Sequence, residues 1–217
     1  IPFMSLNSIS HTTFCVALVI IVIASFITTH WNSNYILETV ENGYSIKNFQ
    51  LGIFGDSNVE VPDTIDGKKI VSISDKAFAN NSRIKNVFLS ETIVNIGDSA
   101  FANCTSLENI TLSSKTQTIG SAAFKNCYAL SKIDLPAALI NINGEAFQNC
   151  KKLQSIVIPN GVTEIRGNTF DGCSKLETVT LHEGITDIHA YAFYYCSSLV
   201  AIELPSQIKE IHEYTFE

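Results

Sequence analysis

Ala100-Phe101-Ala102-Asn103-Cys104-Thr105-Ser106-Leu107-Glu108-Asn109-Ile110-Thr111-Leu112 decides the fold of this chain. Its Ala-Phe, its Asn-Cys pair and its three aliphatics all return 23 positions later, at Ala123-Phe124, Asn126-Cys127, Leu130, Ile133 and Leu135. The phenylalanine keeps that spacing through seven occurrences: Phe78, Phe101, Phe124, Phe147, Phe170, Phe193 and Phe216. A fixed period between 20 and 50 residues marks a repeat array, in which neighbouring units bury one another's apolar faces.

Other columns hold the same period. Cysteine follows the phenylalanine by three residues at Cys104, Cys127, Cys150, Cys173 and Cys196, with Asn81 in its place in the first unit. Ile84, Leu107, Leu130, Leu153, Leu176 and Leu199 come six after it. Val87, Ile110, Ile133, Ile156, Val179 and Ile202 come nine after it, and Leu89, Leu112, Leu135, Ile158, Leu181 and Leu204 eleven after it. Isoleucine stands five before every phenylalanine, from Ile73 to Ile211, and a further apolar column eight before it is broken only by Thr116.

The spacing L-x-x-I-x-L, in phrases such as AFANCTSLENITL (100–112), AFQNCKKLQSIVIP (146–159) and TFDGCSKLETVTL (169–181), resembles the BspA-like leucine-rich-repeat family over about residues 61–217. The resemblance implies a secreted or surface-attached solenoid that binds proteins or cells, several members acting as adhesins toward host matrix or other microbes. The expected fold class is a leucine-rich-repeat right-handed superhelix, rich in β-strands, with short helical turns and an N-terminal hydrophobic segment.

Within a unit, the alternation of apolar and polar residues around Ile110 and Leu112 predicts a short strand with one buried face. Pro136, Pro159 and Pro205 end that strand, since proline donates no ladder hydrogen bond. A second short strand is expected around Val162–Ile165 and its equivalents. Gly97-Asp98-Ser99-Ala100-Phe101 reads as one helical turn. The repeats span residues 59–217, the first enlarged by a loop holding Asp66-Gly67. Before them, Tyr35–Val40 and Tyr44–Phe49 flank Glu41-Asn42-Gly43, so residues 31–58 read as a capping hairpin. The chain starts at Ile1 with Met4 inside it and stops within a unit, at Phe216-Glu217; solenoids need terminal caps, so a longer protein is expected.

Residues 1–30 hold no Asp, Glu, Lys or Arg, and Phe14–Ile27 is almost purely apolar. That suits the apolar core of a signal peptide, and extended over residues 10–29 it suits an anchor. Either places the repeats outside the cytoplasm and confines membrane contact to residues 10–29. The net charge is −7, with no basic stripe, which argues against nucleic acid.

The five periodic cysteines lie one per rung. Stacked strands sit ~4.8 Å apart, wider than the Cβ separation of a disulfide, so a buried thiol ladder is expected. No Cys-x-x-Cys occurs. His189 and His212 share a column and, with Asp187 or Glu210, are the one metal candidate; two imidazoles without a third matched ligand make a poor site. The Asn80, Asn103, Asn126, Asn149 column is suited to bonding between neighbouring loops. Asn80, Asn103 and Asn109 also match the N-glycosylation acceptor, Asn109 on the outward side of its strand. No Gly-rich phosphate loop, G-x-S-x-G or His-Glu-x-x-His occurs, and carboxylates are scattered over columns, so no catalytic residue, metal or cofactor is assigned.

What remains is the outer sheet face. Eight after each phenylalanine come Asn86, Asn109, Lys132, Ser155, Thr178 and Ala201; ten after it come Phe88, Thr111, Asp134, Val157, Thr180 and Glu203. Twelve after it come Ser90, Ser113, Pro136, Pro159, His182 and Pro205, expected to face outward as well. Phe88, Asn109, Thr111, Lys132, Asp134, Val157, Thr178, Thr180 and Glu203 are the candidate ligand-binding face. Two function classes stay open: a non-enzymatic module adhering to an extracellular or cell-surface protein, host matrix among them, and a spacer array carrying a domain outside this sequence.

Overall fold

The computed structural model describes residues 34–51, 57–208 and 210–217, so the apolar amino-terminal segment lies outside the described residues. Fourteen strands follow in chain order among the described residues. They are β1 (Tyr35–Val40), β2 (Gly43–Phe49), β3 (Asn58–Val61), β4 (Thr64–Ile65), β5 (Lys68–Ile73), β6 (Asn86–Leu89) and β7 (Asn95–Ile96). Then come β8 (Asn109–Thr111), β9 (Thr118–Ile119), β10 (Asn141–Ile142), β11 (Ser155–Val157), β12 (Glu164–Ile165), β13 (Thr178–Thr180) and β14 (Asp187–Ile188).

Most coils contribute one strand to each of two faces; that of Lys132 adds only a bridge to the first, and the last described coil adds a strand to neither. The first face holds β3-β6-β8 and β11-β13, all parallel, and between them the ladder narrows to a single bridge, Asn109 to Lys132. The second runs β1-β2-β5-β7-β9-β10, with β12-β14 beyond. From β5 onward its pairing is parallel with equivalent residues opposed, as in Ile96 to Ile119 and Ile165 to Ile188. Strands β1 and β2 form an antiparallel hairpin turned by Glu41-Asn42, and β2 runs parallel to β5. Phe49 at its end stacks on Phe78, with ring centroids 4.8 Å apart.

The turn segments differ from expectation. No helix forms among the described residues, and Gly97–Phe101 is a run of tight turns. A helix needs each N–H to bond four residues back. Here alternate N–H groups go to different places. Those of Ser99, Phe101 and Asn103 donate to the next coil, to the carbonyls of Ser121, Ala123 and Lys125 at 2.7, 2.8 and 2.8 Å. Those of Ala100, Ala102 and Cys104 donate three residues back, to Gly97, Ser99 and Phe101. Left-handed residues make the alternation possible: Ser99 has φ 55° and Asn103 φ 61°.

This conformation repeats in two columns, two residues before and two after the phenylalanine. Asparagine tolerates the left-handed region better than most residues, and it holds the second column from Asn80 to Asn149. Its amides form a ladder along the rod. Asn103 Nδ2 donates to Asn80 Oδ1 at 2.9 Å, Asn126 to Asn103 at 2.8 Å and Asn149 to Asn126 at 3.0 Å. Carboxylates tie other turns together: Asp75 Oδ1 accepts the Asp98 N–H and Asp98 Oδ1 that of Ser121, at 2.8 and 2.7 Å. A Cβ at Gly97 would lie 2.5 Å from Asp75 Oδ1, so that coil closes only with glycine there.

Between the faces runs the core. The rings from Phe78 to Phe193 are fully buried and stack nearly parallel, with centroids 4.8 Å apart at Phe78–Phe101 and 5.5 Å at Phe147–Phe170. Thr116, the polar break in an apolar column, is buried and donates its hydroxyl to Ile93 O at 3.2 Å. The five periodic cysteines are buried free thiols. Each donates to the phenylalanine carbonyl 26 residues before it, Cys104 to Phe78 O at 3.1 Å and Cys150 to Phe124 O at 3.3 Å. Burial pushes the thiols of Cys104 and Cys196 up to about 12 and holds those of Cys127, Cys150 and Cys173 well above the usual range.

Asn126→Gly keeps the backbone conformation and loses the ladder bonds, whereas Asn126→Ala also meets the left-handed penalty of roughly 1–2 kcal/mol. Urea denaturation will therefore show Asn126→Ala less stable than Asn126→Gly by about that amount; equal losses would remove the backbone argument. The thiols yield a second expectation. Iodoacetamide at pH 8 will leave Cys104, Cys127, Cys150, Cys173 and Cys196 unmodified by mass spectrometry until denaturant is added. Their folded pKa values lie above the unfolded one, so their contribution is intact below about pH 9 and is lost progressively as pH rises above it. Unfolding free energy should fall by up to about 1.4 kcal/mol per pH unit for each thiol above pH 9; a flat profile from pH 9 to 10.5 would contradict it.

Candidate functional site

Strand alternation decides what the first face shows. In β6, β8, β11 and β13 the middle residues Val87, Ile110, Ile156 and Val179 point into the core, leaving their neighbours outward. All nine residues of the expected ligand-binding face, Phe88, Asn109, Thr111, Lys132, Asp134, Val157, Thr178, Thr180 and Glu203, are exposed. Register brings Phe88 beside Thr111 and Val157 beside Thr180. Phe88 is 45% and Val157 62% exposed, high for large apolar groups. Lys132 and Asp134 pair with each other at 3.0 Å on the surface, which nearly cancels their charge. Glu203 lies beyond the last strand of this face.

The third expected outward column does not face solvent. Ser113 and Pro205 are buried, and Ser90, Pro136, Pro159 and His182 are half-buried. The strand ends at or before this position and the chain turns inward. His182 Nε2 lies 3.0 Å from both Pro159 O and Val162 O, tying its coil to the one before.

The glycosylation candidates Asn80, Asn103 and Asn109 are exposed, but the latter two amides are already engaged. Asn103 Nδ2 bonds to Asn80, and Asn109 Nδ2 donates to Asn86 Oδ1 at 2.8 Å. Asn86 donates in turn to Asn58 at 2.6 Å, forming a second asparagine ladder on the outer face.

The histidine column is paired with carboxylates. His189 and His212 stack in parallel with centroids 5.8 Å apart, each against a carboxylate of the preceding coil: Nε2 of His189 is 2.9 Å from Glu164, and that of His212 is 3.1 Å from Asp187. Among the described residues no group of three or more His, Cys, Asp or Glu is placed to hold a metal ion.

Two features escaped the sequence argument. On the second face, the β1–β2 hairpin and β5 and β7 enclose a groove of about 740 Å³, lined by Glu38, Ser45, Lys47, Lys69, Ser72 and Ser74 among others. Ser74 Oγ lies 2.5 Å from both Glu38 Oε1 and Ser45 Oγ, and Lys47 pairs with Glu38 at 3.6 Å. The hairpin wall lies outside the repeat, so no column revealed it. The other feature is a group of four tyrosines, Tyr191, Tyr194, Tyr195 and Tyr214. Its signal was the change of the asparagine column to Tyr195.

Comparison with known proteins agrees with this architecture. The family model for the BspA type leucine-rich repeat region matches six copies, over residues 3–131, 71–170 and 117–217. A search of curated protein sequences gave no match. A leucine-rich cell surface protein from Faecalibacterium prausnitzii is similar in structure, with TM-score 0.77 and 28% identity, covering 84% of this chain and 50% of that one. A leucine-rich repeat protein from Bacteroides ovatus has TM-score 0.78 and 31% identity, covering 84% of this chain and 49% of that one. The leucine-rich repeat protein of T. pallidum has TM-score 0.62 and 25% identity, covering 77% of this chain and 88% of that one. The chain thus spans about half the length of the first two. With its phenylalanine, cysteine and aliphatic columns stacked as the motif implied, the chain belongs to the BspA type leucine-rich-repeat family.

Proposed function

We propose that the chain is a non-enzymatic interaction module, displayed outside the cytoplasm, that binds an extracellular or cell-surface protein through the outer face of its first sheet. The observation that carries this is the row of exposed side chains from Phe88 to Thr180 on stacked parallel coils, with Phe88 and Val157 open to solvent. Such a face offers shallow contacts and a few apolar anchors, which is how protein interfaces divide their energy. Similarity to a cell surface protein supports the extracellular placement. Among the described residues no helix is long and apolar enough to cross a membrane. The amino-terminal segment, outside those residues, is where we place any membrane contact.

The test is direct. Purified chain immobilised on a sensor surface should retain at least one of a panel of extracellular-matrix proteins at micromolar concentration, with no turnover. Phe88→Ser combined with Val157→Asn should weaken that binding at least tenfold, roughly the effect of losing one or two anchors. The melting temperature should stay near wild type, since both side chains lie outside the core. Unchanged affinity in the double variant would move the interface elsewhere.

A further inference from the structure

The two left-handed columns serve as a reference against which the tyrosines stand out. The column two after the phenylalanine runs Asn80, Asn103, Asn126, Asn149 and Gly172, residues suited to that backbone, and then becomes Tyr195 at φ 54°. The column two before it ends in Tyr191 and Tyr214, at φ 62° and 55°. Three bulky rings thus sit where backbone preference opposes them, all on adjacent coils and all outside the phenylalanine core.

They form one facet around Tyr194. Tyr191 stacks on Tyr214 at 5.1 Å, and Tyr194 stands edge-on to both, at 84° and 83°. Tyr195 packs beside it at 4.0 Å and is 60% exposed. Perpendicular rings present both an aromatic face and an aromatic wall. Carboxylates flank the facet: Asp171 and Glu217 occupy the column of Tyr194, one coil before and one after. Asp171 already accepts one bond from Gln148 Nε2, at 2.6 Å. The surroundings are acidic too. Residues 160–217 hold nine Asp and Glu against three Lys and Arg, so six of the chain's seven net negative charges lie there.

Aromatic faces attract cations, guanidinium above all, and adjacent carboxylates strengthen the attraction. We infer that the facet of Tyr191, Tyr194, Tyr195 and Tyr214 binds an arginine- or lysine-bearing segment of a partner protein. This rests on the protein-binding reading of the chain, but not on which sheet face serves it. Tyrosine suits the role, because it supplies large contact area with few rotatable bonds to immobilise.

The test uses the full chain and a fluorescein-labelled peptide of alternating Arg and Gly, with the same peptide carrying citrulline for arginine as the uncharged control. Fluorescence anisotropy should give a micromolar Kd for the arginine peptide and at least tenfold weaker binding of the control. Tyr191→Asn with Tyr195→Asn should weaken the arginine peptide at least tenfold while leaving the fold intact, since asparagine is resident in both columns elsewhere. Asp171→Asn with Glu217→Gln should weaken it severalfold. Equal binding of the two peptides, or an unchanged Kd in the tyrosine variant, overturns the inference; so does capture of N-acetylchitohexaose in place of the peptide. Were the arginine peptide to fail while matrix protein still bound through Phe88 and Val157, this inference would fall and the proposed function would stand.

Discussion

Every second backbone N–H of the turn segments points along the rod. In the stretch from Ser99 to Asn103 those groups reach the next coil, and the N–H groups between them close turns within their own. Buried backbone groups must be paired, so a coil satisfies its polar atoms only with a neighbour on each side. The phenylalanine stack, the thiols and the asparagine ladders all fall in the register this sets. The thiol of Cys104 reaches Phe78 O because both lie on adjacent coils at matched heights.

Much of this was legible because period is a collective signal. One phenylalanine carries little information, whereas seven at one spacing, with aliphatics at fixed offsets, determine which residues face inward. The buried column from Ile73 to Ile188 and the outward residues of β8 and β13 follow from that alternation alone. Local conformation was harder. Gly97-Asp98-Ser99-Ala100-Phe101 has the composition of a helix start, and the φ of Ser99 and the outward-going N–H groups show that it turns instead. The column from Ser90 to Pro205 lies just past the strand's end, where the in-and-out alternation of a strand no longer holds. The groove beside the hairpin and the tyrosine facet lay beyond the reach of periodicity, since each arises where the repeat stops or changes.

The two faces divide the surface by chemistry. The first is rich in hydroxyl and amide groups and close to neutral across Asn109, Thr111 and the Lys132–Asp134 pair. The second begins with Ser72, Asn95, Thr118 and Asn141 and becomes charged at Glu164, Asp187 and Glu210. Arg166, His189 and His212 answer the first two of those carboxylates. Carboxylates at coil edges have a further task. Glu91 takes the N–H and hydroxyl of Ser114 at 2.9 and 2.6 Å, and Glu183 does the same for Ser206 at 3.0 and 2.7 Å. These bonds hold both carboxyls below their usual range. Much of the acidity visible in the composition therefore serves to join coils.

The first coil shows how the architecture handles extra length. Asn58 pairs with Asn86 across 28 residues where later coils use 23, and the additional five are taken up by the small β4–β5 hairpin turned at Asp66-Gly67. A single residue inserted within a coil would put the rest of that coil out of register with its neighbours. A whole unit, or a self-paired excursion at a coil corner, leaves that register intact. A chain of this kind thus lengthens or shortens most readily by complete turns of the spiral, or by a hairpin that closes on itself at a corner, as at Asp66-Gly67.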